Sequence, residues 1–141
     1  MSEIDVLEVP ALLLRMVPET ADHVAKLYGM SAERAVASKA AQYDTCMLFD
    51  LAFTRPVVQP ELRRGIPDPE LMGRCFEFVE LMTRSSTQAL TGPVYFQALE
   101  ALLEEDIFLE KAIPFMQEQT RRKVVQMLTS YEAPAPDALL L

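Results

Sequence analysis

The stretch that decides the fold is DPELMGRCFEFVELMTR, residues 68–84. Asp68, Pro69 and Glu70 in that order form a helix start. They supply a capping carboxylate, a proline at the first helical position, where its missing N–H costs little, and an acid beside the positive end of the helix dipole. Leu71, Cys75, Phe78, Val79 and Met82 then share one face at three- and four-residue spacing. Glu77, Glu80 and Arg84 fall opposite. The spacing predicts a helix to about Thr83, with an apolar face that other helices must cover.

The same grammar extends both ways. Towards the N-terminus, a first helix is expected within Ile4 to Met16, started or kinked by Pro10. Pro18 opens a second, with Glu19 and Asp22 in its first turns, and Gly29 closes it. Ser31 caps a long third helix that ends before Pro56, because the residue preceding a proline avoids the helical region. RPVVQPELRRGIPDP then reads as a loop with one helical turn at Glu61 to Arg64. Towards the C-terminus, Ser85 or Ser86 caps a segment to about Glu105, which Gly92-Pro93 either kinks or divides. Tyr95, Leu99, Leu102 and Leu103 face inward there, and Gln97, Glu100 and Glu104 outward. Asp106 caps a short turn to Ala112, Pro114 breaks it, and a last helix spans about Met116 to Thr129. Strand alternation and Asn-Gly or Asp-Gly hairpin turns are missing. The chain therefore reads as all-α: a single-domain bundle or short stack of about six to seven helices over residues 1–131, with a flexible C-terminal tail over 132–141. The terminal leucines of EAPAPDALLL have a docked alternative, on the body or on a neighbouring molecule.

Composition narrows the function. At 141 residues, half of them hydrophobic, the chain can bury a core without disulfide or metal support. No apolar stretch approaches the ~20 residues of a membrane span. The opening MSEIDVLEVP carries acids where an export leader needs bases. Cys46 and Cys75 are too few for a disulfide framework; both lie in apolar helical patterns and read as buried free thiols of a reducing cytoplasm. Twenty-one acids against 13 bases give a net charge of −8. That charge argues against nucleic acid and anionic membrane as partners, and for a basic protein.

Chemistry-bearing patterns are sparse. His23 and two cysteines 29 residues apart have no zinc-ligand spacing. There is no calcium loop, nucleophile elbow or phosphate-binding glycine loop. A thiol on an apolar helix face is inert, so neither cysteine pairs usefully with His23. No catalytic residue, cofactor or metal site is expected. The one carboxylate in an apolar run is Asp50, in YDTCMLFDLAFTRP (43–56). Asp44, six residues earlier, is turned about 120° from it on a helix. Asp50 therefore reads first as a polar tie to Arg55 or a loop amide, then as a partner contact, and last as a catalytic acid.

The clearest charge feature is the acid group Glu100, Glu104, Glu105, Asp106 and Glu110, with no base among them. Two readings stand: a solvated helix face, or a contact surface for a basic protein, with Phe108 or Phe115 as exposed apolar anchors. The basic trio Arg121, Arg122 and Lys123 offers a third outcome, neutralisation from the next helix.

Four short segments carry a resemblance: EIDVLEVPALLLRMV (3–17), MLFDLAFTR (47–55), LMGRCFEFVELM (71–82) and GPVYFQALEALL (92–103). In this order they resemble small all-helical bacterial proteins, mostly uncharacterised, some of which look like immunity proteins encoded beside polymorphic or contact-dependent toxins. The resemblance spans about residues 5–129. It matches Asp50, Arg55 and Glu100 to recurrent polar positions without giving their roles, and implies a compact helical bundle or a stack of helix pairs. The function it implies is occlusion of a cognate, basic toxin by a cytoplasmic inhibitor through Glu100, Glu104, Glu105, Asp106, Phe108 and Glu110. The alternative is a homodimeric helical adaptor or regulator joined through its tail or its apolar third helix. A third reading is a small-molecule-binding or enzymatic protein with Asp50 in a pocket.

Overall fold

The structure, a computed structural model, describes residues 4–85 and 88–140. Every regular element among them is helical, and the chain is an all-α single domain. Asp5 caps a 3₁₀ turn at Val6–Glu8 by accepting from the Leu7 N–H at 2.9 Å, and Pro10 lies in the first turn of α1 (Val9–Met16). A second 3₁₀ turn, Pro18–Thr20, leads into α2 (Ala21–Tyr28). Gly29 ends α2 in the left-handed region, at φ +68°, where a residue without Cβ is least strained.

The expected long third helix is broken. It comprises α3 (Ala32–Val36), α4 (Lys39–Gln42), α5 (Thr45–Leu48) and a π-helical segment, Phe49–Val58. The expected six or seven helices are thus divided further. Ser38 makes the first break. Its backbone is extended, and its hydroxyl donates to the Ala35 carbonyl at 2.6 Å while accepting from the Ala41 N–H at 3.4 Å. One short side chain thereby closes α3 and opens α4, the competition with backbone that makes serine a poor interior residue. Asp44 makes the second break, its carboxylate accepting from the Tyr28 hydroxyl at 3.2 Å.

The chain does not stop before Pro56 either. It passes through that residue in the π register, in which the Gln59 N–H donates to the Thr54 carbonyl, and continues into α6 (Gln59–Arg63). In an α-helix a proline ring collides with the carbonyl four residues back; the wider π turn relieves the collision. Pro93 is treated similarly. It ends α8 (Gln88–Pro93), and the backbone goes on as a π segment (Val94–Leu99) and a 3₁₀ turn (Glu100–Leu103). Gly92-Pro93 is therefore neither a loop nor a division, but a change of helical register.

The central helix is α7 (Pro69–Thr83), capped by Asp68 as its sequence predicts, with the Glu70 N–H donating to Asp68 Oδ1 at 3.0 Å. Its Phe78 meets Phe49 and Phe53 edge-on, with ring centroids 5.7 and 5.5 Å away. This geometry suits aromatic quadrupoles, and burying each ring contributes about 2–3 kcal/mol. Leu13, Leu48, Met72, Leu99, Phe108 and Val124 complete one continuous core. Leu103 and Glu80 depart from their expected faces: Leu103 is exposed, and Glu80 is only 1% exposed.

α9 (Asp106–Ala112) starts one position earlier than expected. Asp106 is its first residue, and Glu105 precedes it without a side-chain cap. A 3₁₀ turn, Ile113–Phe115, leads to α10 (Glu118–Ser130). Beyond α10 the tail lies on the body instead of hanging loose. It forms a 3₁₀ turn at Asp137–Leu139, and Leu139 is buried to 4% exposure within the core. Ser86 and Leu141, named above as cap and terminal leucine, lie outside the described residues.

Candidate protein-binding face

The acid group divides in two. Glu100 and Glu105 are engaged. The Tyr131 hydroxyl, from the end of α10, donates to Glu100, and Arg63 on α6 donates to Glu105 from Nε at 3.1 Å and from a terminal nitrogen at 2.8 Å. Glu100 is also the cause, ahead of burial, that pushes the Tyr131 hydroxyl up to about 12. Glu104, Asp106 and Glu110 are exposed and form no ion pair among the described residues. Asp106 and Glu110 are one helical turn apart on α9, and the exposed side chains of Leu103 and Ile107 lie beside them in the chain.

The expected apolar anchors are placed differently. Phe108 is not an exposed anchor; it has no exposed surface, and the Arg63 guanidinium lies 5.1 Å above its ring. Phe115 is half-buried. The α9 period accounts for this: Phe108, Leu109 and Ala112 face the core, which leaves Ile107 outward. The basic trio does not neutralise the acids. Arg122 pairs with Glu118 at 2.6 Å, and Arg121 spends three N–H groups on backbone carbonyls. Lys111 instead donates to the Arg64 and Gly65 carbonyls, joining α9 to the end of α6.

Asp50 is tied to Arg55, whose Nε donates to Oδ1 at 2.7 Å; the carboxylate side chain is 23% exposed. Asp44, bound to Tyr28, takes no part. Burial, with the Asp44 charge second, holds the Tyr28 hydroxyl well above the usual phenol range. Cys46 is exposed, contrary to the buried thiol its apolar neighbours suggest, because α5 turns that side outward. Cys75 is buried, and burial pushes its thiol up to about 12, so it stays protonated and inert at neutral pH.

Three structural polar residues escaped the sequence reading. Glu80 on α7 accepts from the Thr120 N–H at 2.8 Å, the Thr120 hydroxyl at 2.8 Å, the Gln119 N–H at 3.1 Å and Arg84 Nε at 3.2 Å. Burial raises its pKa, and these donors outweigh burial, leaving it below the usual carboxylate range. Thr54 donates to the Gln97 carbonyl at 2.7 Å, and Gln59 donates to the Ala101 carbonyl at 3.3 Å. Both are buried and satisfy carbonyls on the facing helical segment. Their only sequence signal is a polar residue inside an apolar run.

Several open clefts lie elsewhere. One of about 650 Å³ runs between α10 and the tail, one of about 580 Å³ between Leu7, Leu12, Val36 and Leu81, and one of about 580 Å³ among Tyr95, Phe96, Lys123 and Tyr131. His23 borders a smaller one of about 270 Å³ beside Glu19, Pro56 and Glu61. Asp50 lines none of these four. Among the described residues no three His, Cys, Asp or Glu side chains come together as metal ligands, and no helix is long and apolar enough to cross a membrane. No protein-family model, curated protein or solved structure matches the chain.

Proposed function

We propose that this chain is a non-enzymatic protein-binding module of the immunity type, a cytoplasmic bacterial inhibitor that covers a basic toxin. One observation carries the proposal: Glu104, Asp106 and Glu110 stand exposed and, among the described residues, without a paired cation, next to exposed Leu103 and Ile107. Unpaired acids supply the long-range attraction that speeds encounter with a basic surface, and adjacent apolar side chains supply what holds it afterwards. The net charge of −8 and the resemblance point the same way. The side chains that would contact the partner are then Leu103, Glu104, Asp106, Ile107 and Glu110. Glu100 and Glu105 support them through Tyr131 and Arg63, and Phe108 underlies the face.

The test is association with the toxin domain encoded beside this gene. Replacing Glu104, Asp106 and Glu110 together by lysine is expected to slow association at least tenfold in low salt and to flatten its salt dependence. Unchanged on-rates reject the face, and a neighbouring gene that encodes no toxin rejects the reading.

A second reading, the homodimeric adaptor, has its own support. Tyr43, Met47 and Leu51 are all exposed along α5 and its approaches. Light scattering that gives a monomer at every concentration removes it. The third reading, Asp50 in a pocket, is not favoured: the carboxylate is held by Arg55 outside the four clefts described.

A further inference from the structure

The basic trio is the one sequence feature that the binding face leaves unused, and two of its members line the cleft of about 650 Å³. Its wall is Glu118, Arg121, Arg122, Val125 and Gln126 of α10, and its other side is Leu139 and Leu140 of the docked tail. Arg121 decides its chemistry. Its guanidinium is half-buried and donates to the carbonyls of Met116 at 3.0 Å, Ile113 at 3.1 Å and Ala138 at 2.7 Å. No carboxylate pairs with it among the described residues. A guanidinium has five N–H donors, so two have no acceptor among the described residues, and there its charge is met by carbonyl dipoles and no carboxylate. Arg122 adds a second cation and Glu118, paired with it at 2.6 Å, one anion. The cleft therefore holds one net positive charge on a strongly acidic molecule. Apolar surface flanks that charge: Val125 is half-buried and Leu140 exposed.

We infer that this cleft binds an amphiphilic carboxylate, a small molecule with one anionic head and an aliphatic body. The head accepts from the free N–H groups of Arg121 and from Arg122, charge-assisted hydrogen bonds that carboxylates make best with arginine. The body covers Val125, Leu139 and Leu140. The volume is within the range of small-molecule sites. A cation is repelled by Arg121, and a wholly apolar ligand leaves the guanidinium desolvated without a partner, so both are disfavoured.

Decanoate below its micellar concentration is the probe, titrated calorimetrically into the full chain, with decanol as the uncharged control. Saturable one-to-one binding is expected, with decanol weaker by about tenfold, the effect of losing a hydrogen bond to a charged group. Two surface substitutions change the affinity in opposite directions without touching the core. Glu118→Gln removes a competing anion and is expected to tighten binding about two- to fivefold. Leu140→Asp places an anion at the rim, removes apolar contact and is expected to weaken it at least tenfold. Arg121→Ala is less informative, since it also releases the tail. No saturable heat at millimolar decanoate overturns the proposal. So does equal binding of decanol, or affinity that neither Glu118→Gln nor Leu140→Asp moves.

Discussion

A carboxylate with 1% of its surface exposed has to be met by donors, and Glu80 is met by four. Two are backbone N–H groups of the first turn of α10, a helix whose own N-cap residue, Gln117, makes no side-chain cap. Glu80 is thus a cap delivered from another helix, charged and close to the positive end of the α10 dipole. Removing it with Glu80→Ala leaves those N–H groups unpaired and is expected to cost on the order of 3 kcal/mol in chemical denaturation. The pH dependence follows from the lowered pKa. The stabilisation is fully present above the unfolded carboxyl value of about 4.3 and is lost as pH falls through the lower folded value. Glu80→Gln keeps the shape and removes the charge, so urea melts of this variant from pH 6 to pH 3 should fall less steeply than those of the parent. Parallel curves would assign the acid sensitivity elsewhere, for instance to Glu19, which Arg74 holds with bonds of 2.8 and 2.7 Å and whose pKa is likewise lowered.

At the scale of elements, the two π segments are the unusual feature. Wide turns have poorer hydrogen-bond geometry and persist where tertiary contacts hold them. Here Thr54, inside the first, donates to the Gln97 carbonyl in the second, and Gln59, just beyond the first, donates to the Ala101 carbonyl, just beyond the second. Thr54→Val keeps the side-chain volume and leaves the Gln97 carbonyl short of its donor. It is expected to cost about 1–2 kcal/mol and to raise proteolytic susceptibility around residues 49–58 more than Leu51→Ala, an exposed control in the same segment. These elements also mark where sequence stopped being legible. Asp68 and Ser31 start helices and Gly29 ends one by rules that act within four residues, and each does what its neighbours predict. The break at Ser38 follows the same local chemistry, but an alanine-rich background hides it; Asp44 makes no side-chain cap and is bonded by Tyr28 from α2. The π register does not follow from local rules, because it depends on which carbonyls the facing helix leaves open. Glu80 is invisible for a like reason. One turn from Glu77 and Arg84 it reads as a surface acid, and its partners other than Arg84 lie about forty residues away. For the candidate face, the acids were legible as a group. Which of them are free was not, since Arg63 and Tyr131 arrive from distant elements.

For the molecule as a whole, charge and packing pull in opposite directions. The core is continuous, and some of the ion pairs on its surface are exposed on both sides, such as Arg63–Glu105 and Arg122–Glu118. Exposed pairs contribute little, about 0–1 kcal/mol each. Eight uncompensated negative charges repel one another in the compact state. Screening is therefore expected to help more than it harms: the melting temperature should rise by a few degrees between 10 and 200 mM salt. A fall would mean that the pairs outweigh the repulsion. The same field bears on both functional proposals. It attracts a basic protein at long range and repels a carboxylate, so decanoate affinity should improve in the same salt range that slows toxin association.

The cap that Glu80 gives α10 also sets an order of events during synthesis. A helix of 13 residues is marginal alone. α10 leaves the ribosome after α7, against which it packs, and its first turn is completed by a side chain made about forty residues earlier. This helix therefore completes its first turn only on arrival at a surface that is already folded, and that surface supplies the capping carboxylate that Gln117 does not.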